Sequence, residues 1–343
     1  MKLSICIPTY NRSKHLINCL ESIVSNNISK GLDFQICISN NCSTDETESI
    51  VQSYIGRLPI KYHKNESNLG VARNVLKVIE MADSEFVWLI GDDDLLMPTA
   101  IVDVLGLIQN NPLVDYFYVN SFHLTTEYVH SYPQPFNTKD LPGTMTPFST
   151  FKGSGEMPFL DLIKPEISFD FLGGMFLAVF RKSNWTNSLH VLNEEALKDS
   201  RTFSYFDNTF VHVKIFANAF AKSKAFFCEK PMSVCLTGAR EWAPMYSMVR
   251  SVRLLEALEE YRKNGLGFFS YVRCRNFALS YFLPDLAYIY IHRDKSGWKY
   301  ISPLRLIVVN LFYPNTYLSV LYFIFRKMIQ IFKKGLFSFS KGK

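Results

Sequence analysis

Short apolar runs alternate with segments of helical period over the first 120 residues of this chain. Leu3-Ser-Ile-Cys-Ile7, Phe34-Gln-Ile-Cys-Ile38 and Phe86-Val-Trp-Leu-Ile90 are bounded by polar residues and too short for helices, so they read as buried strands. Leu16, Leu20, Ile23 and Val24 recur at the spacing of one helix face, and Val71, Val75, Val78 and Ile79 do the same later. Ser43-Thr-Asp-Glu46 has the capping-box pattern and predicts the start of a helix carrying Ile50, Val51 and Tyr54. Pro59-Ile-Lys-Tyr-His63 and Tyr116-Phe-Tyr-Val119 add strands, and Thr99 to Ile108 adds a helix. This βαβα order predicts a Rossmann-like, mainly parallel sheet flanked by helices on both faces.

The rhythm breaks between residues 125 and 165, where Pro133, Pro135, Pro142, Pro147, Pro158 and Pro165 fall. A long irregular insertion of this kind in a compact domain is usually a binding loop or lid. Strand character returns over Gly173 to Phe180, and Phe206 to Ala219 predicts a helix. Helical text follows over Met245 to Arg262 and Phe268 to Tyr290. Leu306 to Phe325 is apolar-rich, but Asn310, Pro314, Asn315 and Thr316 sit in its middle, so two shorter helices are expected in place of a span. Three regions result: 1–120, 121–242 and a helical 243–343.

Charge changes this picture at one end. From Lys295 onward there are nine Lys and Arg and no acidic residue, while the preceding 294 residues carry 28 basic and 31 acidic side chains. The net charge of +6 therefore lives in the tail, which argues against a general nucleic-acid binder. Aromatic bulk from Leu318 followed by Arg326, Lys327, Lys333 and Lys334 suits a helix lying on an anionic membrane surface. Seven cysteines without a C-x-x-C pair point to a reducing compartment, and the interruption at Pro8 leaves no apolar stretch long enough for a secretory signal.

The candidate chemistry centres on Asp92-Asp93-Asp94, directly after the Phe86 strand. Open α/β sheets bind ligands at this edge, and adjacent carboxylates repel unless a cation neutralises them. A divalent ion with oxygen ligands does so, often with a phosphate in its shell; a solvated acidic turn is the alternative. Three further segments should converge there: Pro8-Thr-Tyr-Asn-Arg12, Asn40-Asn-Cys-Ser-Thr-Asp45 and Asn68-Leu-Gly-Val-Ala-Arg-Asn74. Helix-start N–H groups with Arg12 or Arg73 suit a diphosphate, Tyr10 suits a base or ribose, and Gly70 permits close backbone approach. Arg240 and Trp242 lie in a late loop able to close on phosphate and sugar.

Ser4-Ile-Cys-Ile-Pro-Thr-Tyr-Asn-Arg12, Ile38-Ser-Asn-Asn-Cys-Ser-Thr-Asp45, Asn68-Leu-Gly70 with Ala72-Arg-Asn74, and Gly91-Asp-Asp-Asp94, in this order, resemble glycosyltransferase family 2. The resemblance covers roughly residues 2–120 and, more loosely, 170–215. With its basic tail, the wider pattern is similar to bacterial O-antigen abequosyltransferase-like enzymes. It implies a glycosyltransferase A-type fold, with residues 1–120 binding a nucleotide-diphosphate sugar and 121–242 binding a saccharide acceptor. It also implies Mg²⁺ or Mn²⁺ held through Asp94 with Asp92 or Asp93 assisting, and usually inversion at the anomeric carbon. Pro8, Thr9, Tyr10, Arg12, Asn40, Asn68, Gly70, Arg73, Asp92, Asp93 and Arg240 are the donor-binding candidates. The family carboxylate that takes the acceptor proton corresponds to Asp207, although Phe206 stands where an acidic residue is usual. Asn40 stands where the family commonly has Asp against the donor pyrimidine, which leaves uracil, cytosine and thymine open.

The expected function is sugar transfer to an acceptor, lipid-linked in bacterial cell-surface polysaccharide synthesis, at the cytoplasmic face of the inner membrane, with a peripheral basic tail. Two other readings compete. A sugar-phosphate nucleotidyltransferase would want a glycine-rich N-terminal loop, and Ser4 to Arg12 contains no glycine. A catalytically silent nucleotide-sugar-binding protein would not need the acid cluster.

Overall fold

The computed structural model describes residues 1–26, 32–199, 201, 203–238 and 242–340. The strands are β1 (Leu3–Thr9), β2 (Phe34–Asn40), β3 (Ile60–Lys64), β4 (Phe86–Leu89), β5 (Leu95–Leu96), β6 (Tyr116–Thr125), β7 (Thr146–Pro147), β8 (Gly155–Pro158), β9 (Ala178–Arg181) and β10 (Lys224–Thr237). The helices around them are α1 (Ser13–Val24), α2 (Thr47–Tyr54), α3 (Val71–Glu80), α4 (Ala100–Asn110), α5 (Thr126–His130), α6 (Lys182–Asn187), α7 (Glu194–Lys198) and α8 (Val211–Ala219). The C-terminal region adds α9 (Tyr246–Met248), α10 (Leu254–Lys263), α11 (Phe268–Ala278), α12 (Phe282–Ile291), α13 (Pro303–Val309) and α14 (Pro314–Ser340).

One sheet runs β3-β2-β1-β4-β9-β6-β10-β5, with β7 beside β6 and β8 beside β10. The pairs β1/β2, β2/β3, β1/β4 and β6/β10 are parallel, whereas β9 is antiparallel to both β4 and β6. The sheet is therefore mixed, not mainly parallel. The chain leaves β6 through the 125–165 insertion and returns directly along β9, and an antiparallel return needs no crossover helix. Trp88, Phe180, Trp185, Tyr116 and Phe216 fill the core at this junction, and the Trp88 indole N–H donates to Phe176 O at 3.0 Å.

Several sequence expectations change. The Ser43–Glu46 capping box does not form: Asp45 Oδ1 accepts Thr47 N–H at 3.1 Å and its Oδ2 accepts Ser13 N–H at 3.0 Å. A carboxylate serving two helix starts outcompetes a serine hydroxyl, and Ser43 Oγ instead accepts Asn11 N–H at 2.8 Å. Gly173 and Gly174 precede β9 in a tight turn, where a Cβ on Gly174 would lie 3.1 Å from the Phe176 ring. The helix expected from Phe206 begins at Val211, and the one expected from Phe268 to Tyr290 breaks at Leu279–Tyr281. The tail forms two helices as expected, bent by 111°.

Candidate functional site

The acid turn follows β4 and folds back on itself. A Cβ at Gly91 would lie 2.8 Å from Asp93 Oδ1 and 3.1 Å from Asp94 Oδ2, so a side chain there would displace the Asp93 carboxylate and crowd Asp94. Asp94 is 2% exposed, and its Oδ2 accepts Gly91 N–H at 2.7 Å. Asp94, the expected metal ligand, thus also braces the backbone of its own turn through one carboxylate oxygen. Asp92 Oδ2 accepts from Thr9 Oγ1 at 2.7 Å, while Arg12 Nε donates to Asp92 Oδ1 at 3.3 Å and Arg12 Nη2 to Asp93 Oδ2 at 2.7 Å. Burial pushes the Asp92 carboxyl up to about 7 against the pull of Arg12. Burial, reinforced by the Arg12 charge, pushes His15 down to about 4.

An asparagine network carries the loop after β2 to the start of α3. Asn41 Nδ2 donates to Asn68 Oδ1 at 2.8 Å, and Asn41 Oδ1 accepts Leu69 N–H at 2.8 Å and Asn65 Nδ2 at 3.1 Å. Asn74 reaches Ser39 O at 3.0 Å and Thr9 O at 3.5 Å, tying α3 to the exits of β2 and β1. Gly70 precedes α3 with φ +80°, a conformation that side chains disfavour.

These loops frame a cleft of about 380 Å³, lined by Tyr10, Asn41, Asn68, Gly70, Arg73 and, from the C-terminal half, Asp199, Arg201, Asn208, Trp242 and Lys295. That volume lies in the range of small-molecule sites. Arg73 and Lys295 have no ion-pair partner among the described residues, whereas Arg201 pairs with Asp199 at 2.6 Å. Two uncompensated cations facing one cleft suit a phosphorylated ligand. The acid turn does not line the cleft; Thr9-Tyr-Asn-Arg12 joins the two, with Thr9 and Arg12 on the carboxylates and Tyr10 in the cleft wall.

The remaining candidates separate. Pro8 lies within β1, paired with Ser39. Asn40 is fully buried with both ends of its amide engaged, Nδ2 donating to Tyr62 Oη and Oδ1 accepting Ser43 N–H, each at 2.8 Å. Asp207 is buried outside the cleft lining and holds Lys214 Nζ at 2.9 and 2.7 Å and Asn193 N–H at 2.6 Å. Arg240 lies outside the described residues. Asn41, Arg201 and Lys295 were missed. The Asn40-Asn41 doublet after a strand was a usable signal for the first, while nothing near Lys295 in sequence announced its place.

Among the described residues, no group of three or more His, Cys, Asp or Glu stands arranged for a metal. Asp92 and Asp93 supply hard oxygen donors on one turn, which fits a cation held by one or two carboxylates with substrate phosphates and water completing its shell.

Residues 4–167 match the model of glycosyl transferase family 2. Abequosyltransferase RfbV of Salmonella typhimurium is 44% identical over 112 residues, 32% of this chain and 32% of that protein. Poly(ribitol-phosphate) β-N-acetylglucosaminyltransferase TarS of Staphylococcus aureus is 32% identical over 114 residues, 32% of this chain and 19% of that one. The matched stretch thus spans a third or less of these relatives. The crystal structure of S. aureus TarS 1–349 in complex with UDP-GlcNAc superposes with a TM-score of 0.53 at 15% identity, over 88% of this chain and 89% of that chain. Mannosyltransferase PcManGT from Pyrobaculum calidifontis, in complex with GDP-Man and Mn²⁺, gives a TM-score of 0.51 at 13% identity, over 94% and 84%. The fold is shared with these sugar transferases, and residues 4–167, a little under half of this chain, match glycosyl transferase family 2.

Proposed function

We propose that this protein is a glycosyltransferase that moves a sugar from a nucleotide-diphosphate sugar to a saccharide acceptor. One observation carries the reading: the Tyr10 loop joins a cleft with two cations unpaired among the described residues to an acid turn whose Asp92 and Asp93 both meet Arg12. In this reading Arg73 and Lys295 meet the diphosphate and Tyr10 covers the nucleoside. Asp92 and Asp93 would hold Mg²⁺ or Mn²⁺, with Asp94 setting their turn. When bound, the cation offsets the charge that builds on the departing nucleotide diphosphate. Asp207, next to the cleft-lining Asn208, is the proposed base for the acceptor hydroxyl on the opposite face of the sugar, with inversion as the outcome. RfbV, an abequosyltransferase, and TarS, an N-acetylglucosaminyltransferase, both transfer sugars, which supports the reaction class.

The acceptor is proposed to be a lipid-linked saccharide of bacterial cell-surface polysaccharide such as O-antigen. The protein would sit peripherally at the cytoplasmic face of the inner membrane, and the acid-free basic tail supports that placement. Incubation with Mn²⁺, a panel of radiolabelled nucleotide sugars and lipid-linked acceptors tests the reading. Transfer, or donor hydrolysis without acceptor, is expected; pyrophosphate release from a nucleoside triphosphate, or binding without turnover, would contradict it.

A further inference from the structure

The start of α14 is inverted relative to a helix packed for water, whereas α13 turns Leu306 and Ile307 onto the core. The face of α14 turned toward the protein is polar. Asn315 Nδ2 donates to Asn276 O at 2.8 Å and to Ser280 Oγ at 3.1 Å, and Ser319 Oγ accepts Leu283 N–H at 3.3 Å. Thr316 Oγ1 donates to Asn310 O at 2.6 Å, and buried Arg275 Nε donates to Asn310 Oδ1 at 2.9 Å. The exposed surface is largely apolar: Leu304 on α13, Phe312 at the bend, then α14 on every side from Val320 to Phe325, with Tyr322 the one hydroxyl in that run. A water-facing helix does the reverse, whereas a helix meeting lipid satisfies its polar groups against protein.

The bend itself is built. Arg275, Asn310 and Thr316 lock the 111° turn, yet Phe312 at its apex is 96% exposed. Cations close both arms: Arg305 on α13, and Arg326 with Lys327 on α14, Arg326 lying 3.9 Å from the centroid of the Tyr281 ring. From the apex to Arg326 the helix rises roughly 20 Å, at about 1.5 Å per residue. That is too short to cross about 30 Å of hydrocarbon and, when tilted, enough to enter one leaflet.

We propose that α13, the bend and α14 form a re-entrant wedge with Phe312 in the acyl region of a single anionic leaflet and Arg305, Arg326 and Lys327 at headgroup level. The proposal rests on the membrane reading above and replaces a helix lying flat on the headgroups with one that inserts. A flat basic helix is held largely by charge and releases in salt, whereas an inserted apex is held by apolar burial.

Sedimentation of the full chain with phosphatidylcholine/phosphatidylglycerol vesicles separates the two. The wedge predicts binding that survives about 1 M NaCl, where charge is screened within about 3 Å. It also predicts that Phe312→Asp weakens partitioning by roughly tenfold or more. Because Phe312 is almost wholly exposed, that variant should melt like the wild type. Leu113→Asp, an exposed apolar site on a different loop, should bind as the wild type does. Release by salt, or a Phe312→Asp variant that binds normally, would overturn the wedge while leaving surface binding in place. No vesicle binding, with concentration-dependent self-association abolished by Phe312→Asp, would assign the surface to a second copy of the chain and overturn both readings.

Discussion

Asp92, Asp93 and Asp94 are adjacent and chemically identical, yet the fold gives them different work. Asp94 holds the backbone of its own turn, Asp92 is buried against Thr9 and Arg12, and Asp93 shares Arg12 at the rim. Because burial raises Asp92 to about 7, its neutral form is favoured in the fold. Its ionisation therefore costs stability that is absent below the unfolded value near 4, grows from there to about 7 and is constant above. Asp92→Asn should gain on the wild type by ~1.4 kcal/mol per pH unit across that window, read from urea melts at stepped pH. A flat difference would mean Arg12 compensates the charge in full. Gly91→Ala should lower turnover with little change in melting temperature, because its methyl would push the Asp93 carboxylate aside. The proposed base needs a sharper test. Asp207→Asn should abolish transfer while donor hydrolysis persists, whereas Lys214→Met should retain transfer. Equal loss in both variants, with lowered melting temperature, would reduce Asp207 to an ion-pair partner of Lys214.

At the scale of elements, α3 carries the donor reading. Gly70 turns the chain, the Asn41 network fixes the loop, and Arg73 emerges from the first turn of α3. Arg73→Ala should raise the donor KM roughly tenfold or more and leave kcat within a few-fold, since removing a charge-assisted contact costs about 1.5–3 kcal/mol. A fall in kcat at unchanged KM would place Arg73 elsewhere in the mechanism. Element by element, β1 to β4 and the helices between them were legible because apolar runs and helical stripes are unbroken there. The long strand β10 was not: Glu229, Lys230 and Pro231 interrupt its alternation, and its pairing with β6 shifts register at the same place. The turn before β9 was misread as strand because its glycines abut an apolar run, while packing against Phe176 and Phe210 decides their conformation.

For the whole molecule, the cleft is assembled from two halves that share one sheet. The N-terminal half supplies Tyr10 and Arg73 from loops that sequence pattern could place. The C-terminal half brings Trp242, which its late loop already suggested, with Asn208 and Lys295, and no local pattern encodes contacts between residues so far apart in sequence. The four strand-exit motifs were readable as a set because a wound sheet must gather them at one edge, and the mixed C-terminal half was not, because β9 returns without a helix. The central claim is that this assembled edge binds a nucleoside diphosphate together with a divalent cation through the acid turn. Titration calorimetry of the full chain with UDP, GDP, CDP and dTDP, with and without Mn²⁺, tests it most directly when repeated on Asp93→Asn. At least one nucleotide should bind in a Mn²⁺-dependent manner and weaken roughly tenfold or more in the variant. Metal-independent binding of equal strength in both proteins, or no binding at all, would contradict it.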